Sequence, residues 1–540
     1  MVLRKDTPSP LAAESDDENT PKAEERKDKF VRIDIDGLSQ RILALPGGAK
    51  DYARIAAGKP GVLFLQVSGE DNGPGPLEKF ELKTRKSTPF ADGVVAFDVS
   101  ADGEKILVRK GATWQIVSTA SALKAGEGVL DTGAIEVHTD PREEWKQMYR
   151  EAWRMQSEYF YDPKLHGVDA TAMSERYEKY LRGIGSRADL NYLITEMLGH
   201  MAVGHLYVRG GNVQAAKAVP GGLLGADYEI ASGRYRIKRI YSGENWNPSL
   251  KAPLTQPGVD ARVGDYIIAI NGTDLRAPDS IYRLLDGTAN KQTVLLVNNR
   301  PVADGARRVT VIPIASDQAL RSRAWVEHNR RVVDSLSKGQ LAYVYLPNTG
   351  QPGYTYFNRY YFAQQDRKGA VIDERYNGGG QAADYIIDVL QRDFDGYFNN
   401  VAGDRMPFTS PAAGIWGPKI MIINEMAGSG GDLMPWMFHY RKIGTLVGKR
   451  TWGGLVHTAD TPGFIDGGSM IAPRGGFFRR DNQWDVENVG QAPDIDVENW
   501  PKDMAAGHDA QLERAVAEGL KQLAAKPGQR ATKEPPPPLW

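Results

Sequence analysis

The order of elements in this chain predicts a multidomain protein of mixed α+β and α/β class. Three observations carry that expectation. Two apolar runs, Ala370 to Glu374 and Lys419 to Ile423, each end in a glycine-rich turn that leads into a helix-like segment, and repeated strand–turn–helix units imply helices packed on a sheet. Short β-like runs crowd the first part of the chain. From Pro141 the apolar residues change to helical spacing.

A chain of 540 residues exceeds one ordinary core and predicts about three or four domains. Hydrophobic residues at 41% and charged residues at 25% describe a globular chain, and a net charge of −1 gives no sign of a polyanion partner, so no nucleic acid is expected. The absence of cysteine excludes disulfides, thiolate metal sites and a cysteine nucleophile. No apolar run approaches the ~18 residues of a membrane span, and the N-terminus is too polar for a signal peptide. No membrane partner and a cytoplasmic location are the resulting expectations.

Residues 1–28, rich in Asp, Glu, Lys, Ser and Pro, read as a disordered leader. Over 29–125 the β-like runs are Val31 to Ile35, Arg41 to Leu45, Val62 to Val67, Lys79 to Leu82, Val94 to Val99, Lys105 to Val108 and Thr113 to Val117. A repeat of about 45 residues, from GKPGVLFLQV to ADGEKILVRK, suggests two β-propeller blades, too few to close a propeller. Over 139–215 a helical subdomain is predicted: Trp145, Met148, Tyr149, Ala152, Trp153, Gln156, Tyr159 and Phe160 recur at i, i+3, i+4, with further helices at Ala172 to Leu181 and Arg187 to Leu198. Residues 216–316 are β-rich, 317–525 hold the α/β core and its final amphipathic helix, and 526–540 form a Pro-rich tail.

The stretch Lys419 to Trp436 singles out Ser429. An apolar strand runs into Ala427-Gly428-Ser429-Gly430-Gly431 and then an apolar helix, which lifts a hydroxyl clear of the backbone and aims unpaired N–H groups at any negative charge formed there. The same pattern also suits a serine that only caps the helix. A nucleophilic serine needs a base and an orienting carboxylate. Among eight histidines, the near match to G-x-S-x-G makes His439, His457 and His508 candidates, as in an α/β-hydrolase esterase, although position 427 is alanine. The other arrangement takes His205 as base and Glu487 as its acid.

Within 216–316, Gly221-Gly222-Leu223-Leu224-Gly225 and Val263-Gly264-Asp265-Tyr266-Ile267-Ile268-Ala269-Ile270-Asn271-Gly272 resemble a PDZ domain. The first resembles its carboxylate-binding loop, so Gly222, Leu223, Leu224 and Gly225 are the expected peptide-binding residues, with backbone N–H groups on a peptide terminus. A PDZ-shaped spacer that binds nothing is the other reading.

The pieces G-H-L-Y-V at Gly204, R-Y-N-G-G-G at Arg375, N-E-M-A-G-S-G-G-D at Asn424 and E-N-x-G-x-x-P-D-I at Glu487, with the PDZ-like region after the first, resemble the C-terminal half of the tricorn protease family from about Val31 to Asp509. The resemblance implies an α/β serine peptidase core acting on short peptides through an acyl-enzyme. It implies Ser429 as nucleophile, His205 as general base, Glu487 as the acid that orients it, and an oxyanion hole from the N–H groups of Gly378 or Gly379 and Gly430. It implies no metal or organic cofactor, and a homo-oligomer, a hexamer by analogy. The family places a serine immediately before the histidine, where this chain has Gly204, and its acidic specificity residue has no clear counterpart across Asp393 to Ser410. A catalytically silent PDZ-type peptide-binding or scaffold protein is the alternative function.

Overall fold

The computed structural model describes residues 1–11, 31–69, 73–400, 407–459 and 461–526, and they form two compact units, 1–139 and 140–540. The first unit contains two antiparallel four-stranded sheets: Tyr52–Ala57, Val62–Val67, Gly75–Glu81 and Lys86–Val94, then Ala96–Val99, Lys105–Lys110, Thr113–Ser118 and Val129–Leu130. Each is a simple meander, the blade form that the repeat predicts. Phe64, Leu77, Phe90, Val94, Phe97, Ile106, Val108 and Val117 make one core for both sheets. Val31 to Ile35 and Arg41 to Leu45 are not strands. Val31 and Ile35 are exposed, and a 3-10 turn at Leu38–Arg41 separates the segments, so their apolar alternation faces no partner. Most of the expected leader and nearly all of the Pro-rich tail lie outside the described residues. Residues 1–11 are placed, with the Val2 N–H on Arg41 O and the Asp34 N–H on Leu3 O.

The second unit opens with helices Pro141–Tyr159, Ala170–Glu178 and Arg187–Leu198. Asp140 caps the first, accepting from the Arg142 and Glu143 N–H groups, with Pro141 suited to the first turn, where its missing donor costs nothing. Ser186 and Asp189 form a capping box on the third. The predicted stripe is the packed face: Met148, Tyr149, Ala152, Trp153 and Gln156 are buried. Arg187 Nε meets Asp466 Oδ2 at 2.6 Å, both side chains buried, and fixes this subdomain to a loop of the core.

The PDZ-like region is an antiparallel sheet in the order Ala226–Ala231, Arg234–Ile240, Tyr266–Ile270, Thr293–Asn298, Arg307–Val311, with the short helix Ile281–Leu285. The α/β core is a five-stranded sheet whose order follows the chain: Leu341–Tyr345, Gly369–Asp373, Lys419–Ile423, Thr445–Gly448 and Ile495–Asp496. All neighbours are parallel. Helices Gln351–Phe362, Ala383–Leu390 and Gly430–Tyr440 share a core with one face. Gln318–Ser337 and Ala510–Ala525 share a core with the other. Burial on both faces explains why Ile420, Met421, Ile422 and Ile423 are apolar without alternation. The carboxyl ends of three neighbouring strands therefore feed the turns at Arg375–Gly380, Asn424–Ser429 and Thr451–Val456, the edge where open α/β sheets bind ligands.

Candidate active site

Ser429 is the residue at which the buried Lys419–Ile423 strand turns into helix Gly430–Tyr440, and its backbone sits at φ +59, ψ −118. A non-glycine residue in that region is strained, and such strain persists where surrounding bonds hold it. Here the Ser429 N–H is donated to Asp432 Oδ2 at 2.8 Å and to Gly454 O at 3.0 Å. The two glycine turns interlock beside it. The Gly428 N–H donates to Asn377 O at 3.0 Å, and a Cβ on Gly379, whose φ is +83, would lie 2.6 Å from Ser429 Cβ. Only glycine allows that approach.

His205 also has a positive φ, +62. Its ring stacks on Trp452 at 5.7 Å between centroids and 29° between planes, and its Nδ1 is buried without a hydrogen-bond partner among the described residues. Burial pushes the imidazole below its ordinary pKa of 6.5, opposed by the charges of Glu487 and Asp432. The ring is therefore neutral at neutral pH, the form a general base requires.

Glu487 is beside the histidine but does not grip the ring. Its Oε1 accepts the Gly204 N–H at 2.6 Å, and its Oε2 accepts the N–H groups of Leu455 at 2.6 Å and Val456 at 3.0 Å. The carboxylate thus reaches His205 through the backbone of the preceding residue. Asn488 Nδ2 on Ala202 O, at 2.7 Å, secures the same two segments.

A cleft of about 710 Å³ opens at Ser429, lined by Gly430, Leu433, Val456, His457, Asp384 and Phe477 among others. Of the expected oxyanion donors, the Gly378 N–H is held by Pro347 O at 3.2 Å and the Gly379 N–H by Asn377 Oδ1 at 3.0 Å. Gly430 stands at the first turn of its helix, where N–H groups lack intrahelical partners. His439 faces Asp494 at 3.3 Å and His508 faces Glu513 at 3.3 Å, so only His457 of the alternative bases shares the cleft with Ser429. In the PDZ-like loop, the Gly222 N–H is donated to Leu285 O and the Leu223 N–H to Ile314 O, which commits two of the four expected donors inside the domain; Leu224 is buried. Among the described residues no group of three His, Asp or Glu could hold a metal ion, and no helix is long and apolar enough to cross a membrane.

Sequence reasoning passed over Asp432. It is fully buried in the first turn of the helix, accepting N–H groups from Ser429, Gly453 and Gly454. The local signal was an acid three residues after a candidate N-cap.

The five-stranded parallel sheet and the turns at its carboxyl edge coincide with a match to Peptidase family S41 over residues 340–497. Residues 141–199 match the tricorn protease C1 domain and 222–316 the tricorn protease PDZ domain. The chain belongs to the tricorn protease family. It is 32% identical to tricorn protease homolog 1 of Streptomyces coelicolor, over 98% of this chain and 51% of that protein. It is 32% identical to the tricorn protease of Thermoplasma volcanium, over 91% of this chain and 48% of that protein. A crystal structure of the tricorn protease superposes with a TM-score of 0.80 at 29% identity, covering 88% of this chain and 47% of that one. The chain spans about half the length of these relatives.

Proposed function

We propose that the chain is a serine peptidase that hydrolyses short peptides through an acyl-enzyme, with Ser429 as nucleophile and His205 as general base. The observation that carries this is one turn that bears on both residues: Gly454 O accepts the N–H of the positive-φ serine, which lines the cleft, and the Trp452 ring stacks on an imidazole whose burial favours the neutral form. Ser429 Oγ attacks the scissile carbonyl while His205 takes its proton, and because Nδ1 is buried, Nε2 is the nitrogen assigned to that transfer. The tetrahedral oxygen takes its hydrogen bonds from the Gly430 N–H and from the Gly379 N–H, which exchanges Asn377 Oδ1 for the oxyanion. Protonated His205 then gives its proton to the leaving amine, and the reverse sequence with water frees the acyl group. Glu487 acts on this cycle by its charge and by holding the Gly204 backbone. Mixed short peptides incubated with the enzyme and with Ser429→Ala test the proposal: turnover by the first and loss of at least about a hundredfold in the second are expected. Turnover retained by Ser429→Ala assigns the chemistry elsewhere. We further propose that the active form is a homo-oligomer, hexameric by analogy with the family, and light scattering that gives the mass of one chain refutes this.

A further inference from the structure

Four consecutive backbone N–H groups, those of Gly453, Gly454, Leu455 and Val456, all end on two carboxylates. Asp432 Oδ1 takes Gly453 at 2.7 Å and Oδ2 takes Gly454 at 3.0 Å, while Glu487 Oε2 takes Leu455 at 2.6 Å and Val456 at 3.0 Å. Asp432 also has a side-chain hydrogen bond with Thr451, at the start of the same turn, and each carboxylate bonds a catalytic segment: Asp432 Oδ2 takes the Ser429 N–H at 2.8 Å, and Glu487 Oε1 takes the Gly204 N–H, one residue before His205. The Thr451–Val456 turn touches both catalytic segments directly as well. Gly454 O accepts the Ser429 N–H, and the Trp452 ring stacks on His205. A carboxylate that accepts several backbone N–H groups holds them as charge-assisted bonds, about twice as strong as neutral ones.

We propose that Asp432 is a positioning residue for the reaction, which through the Thr451–Val456 turn fixes the distance between the nucleophile and the base. Asp432 fastens the nucleophile end of that turn, as Glu487 fastens the histidine end. The N–H of the strained Ser429 makes two bonds, one to the Asp432 carboxylate and one to the carbonyl of Gly454, whose own N–H Asp432 holds. The inference rests on Ser429 being the nucleophile.

The groups bearing on His205 are the Asp432 and Glu487 charges and the rings of Trp452 and Tyr207. Burial raises the Asp432 carboxyl above its ordinary pKa, opposed by the bonds it accepts from Thr451, Gly453, Gly454 and Ser429, and burial raises the neighbouring Glu374 likewise, with the Asp432 charge adding to that shift. Replacing Asp432 by Asn keeps the shape, leaves one acceptor oxygen in place of two, and removes the charge that favours the His205 cation. Three effects are expected together in Asp432→Asn. The turnover number falls by about thirtyfold or more, as a small misplacement of reacting groups does. KM changes by less than about threefold, because Asp432 touches no substrate. The acid limb of kcat/KM moves to lower pH.

The experiment compares Asp432→Asn, Ser429→Ala and the unaltered chain by steady-state peptide hydrolysis across pH, with thermal melting alongside. A folded Asp432→Asn enzyme with kcat within about threefold and an unmoved acid limb overturns the proposal. Should Ser429→Ala remain active, it is the nucleophile assignment that fails instead. Amide exchange in the unaltered chain needs no variant to fold. Slow exchange at Ser429, Gly453 and Gly454 is expected, and exchange at the rate of open loops overturns the proposal.

Discussion

The Glu487 carboxylate accepts the Gly204 N–H at 2.6 Å, while Nδ1 of the next residue, His205, is buried and unpartnered among the described residues. A serine at residue 204 would carry a hydroxyl donor beside that carboxylate. The Gly204 φ lies outside the left-handed region, and a Cβ there would meet Glu487 Oε1 at 3.2 Å and Gly454 Cα at 3.1 Å, so a serine enters with shifts of a few tenths of an ångström. Gly204→Ser is expected to raise kcat by about threefold to a hundredfold, the value of one hydrogen bond to a charged group. Steady-state kinetics with a melting curve as control checks it, and a well-folded Gly204→Ser enzyme with kcat unchanged or lower shows that the glycine is no deficit.

Glu487→Gln replaces two acceptor oxygens by one acceptor and one donor, where three N–H groups converge. Either the Gly204 bond or those to Leu455 and Val456 is lost, and with it the charge that favours the His205 cation. Turnover should fall by about a hundredfold or more with KM little changed. A raised KM at constant kcat makes Glu487 a substrate-binding group instead.

The depressed His205 pKa sets the pH profile. Since burial favours the neutral ring, the base form survives below pH 6.5, and activity is lost only as pH falls through the lower value. The expected kcat/KM profile is flat from neutrality to below 6.5 and then drops about tenfold per pH unit. An acid limb above 6.5 contradicts the assignment of His205 as a buried neutral base.

Arg375 joins strand Gly369–Asp373 to the N-terminus of the last helix, Ala510–Ala525. It is buried, gives Nε and Nη2 to Asp373 at 2.9 and 2.7 Å, and gives Nη1 to both oxygens of Asp509, at 2.9 Å each. Arg375→Met leaves the fully buried Asp373 without its cation. A loss of about 3–5 kcal/mol is expected on urea unfolding. A loss under about 1 kcal/mol means the remaining groups compensate.

The parts of this protein legible in the sequence are those with a local physical cause. The apolar run to Ile423 and the glycines around Ser429 dictate a strand, a sharp turn and a helix, and the stripe from Met148 to Gln156 dictates a packed helix. Strand Lys86–Val94 was missed because Pro89 and Gly93 interrupt any β-like pattern, and Val31 to Ile35 misled because alternation without a partner strand buries nothing. His205 and Glu487 have no local signature of their own, so only the resemblance of their motifs singled them out. The Thr451–Val456 turn was illegible for a different reason. Its bonds run from backbone N–H groups to distant carboxylates, and such bonds need no particular residue type on the donor side.

The central claim is that Ser429 is a nucleophile activated by His205. A fluorophosphonate probe, followed by peptide mapping of the adduct, tests it most directly, because the probe bonds only to an activated hydroxyl. Labelling confined to Ser429, abolished in Ser429→Ala and slowed by at least about a hundredfold in His205→Ala while His508→Ala labels normally, is the predicted result. An unlabelled chain, or labelling at Ser429 that depends on His508 and not on His205, contradicts it.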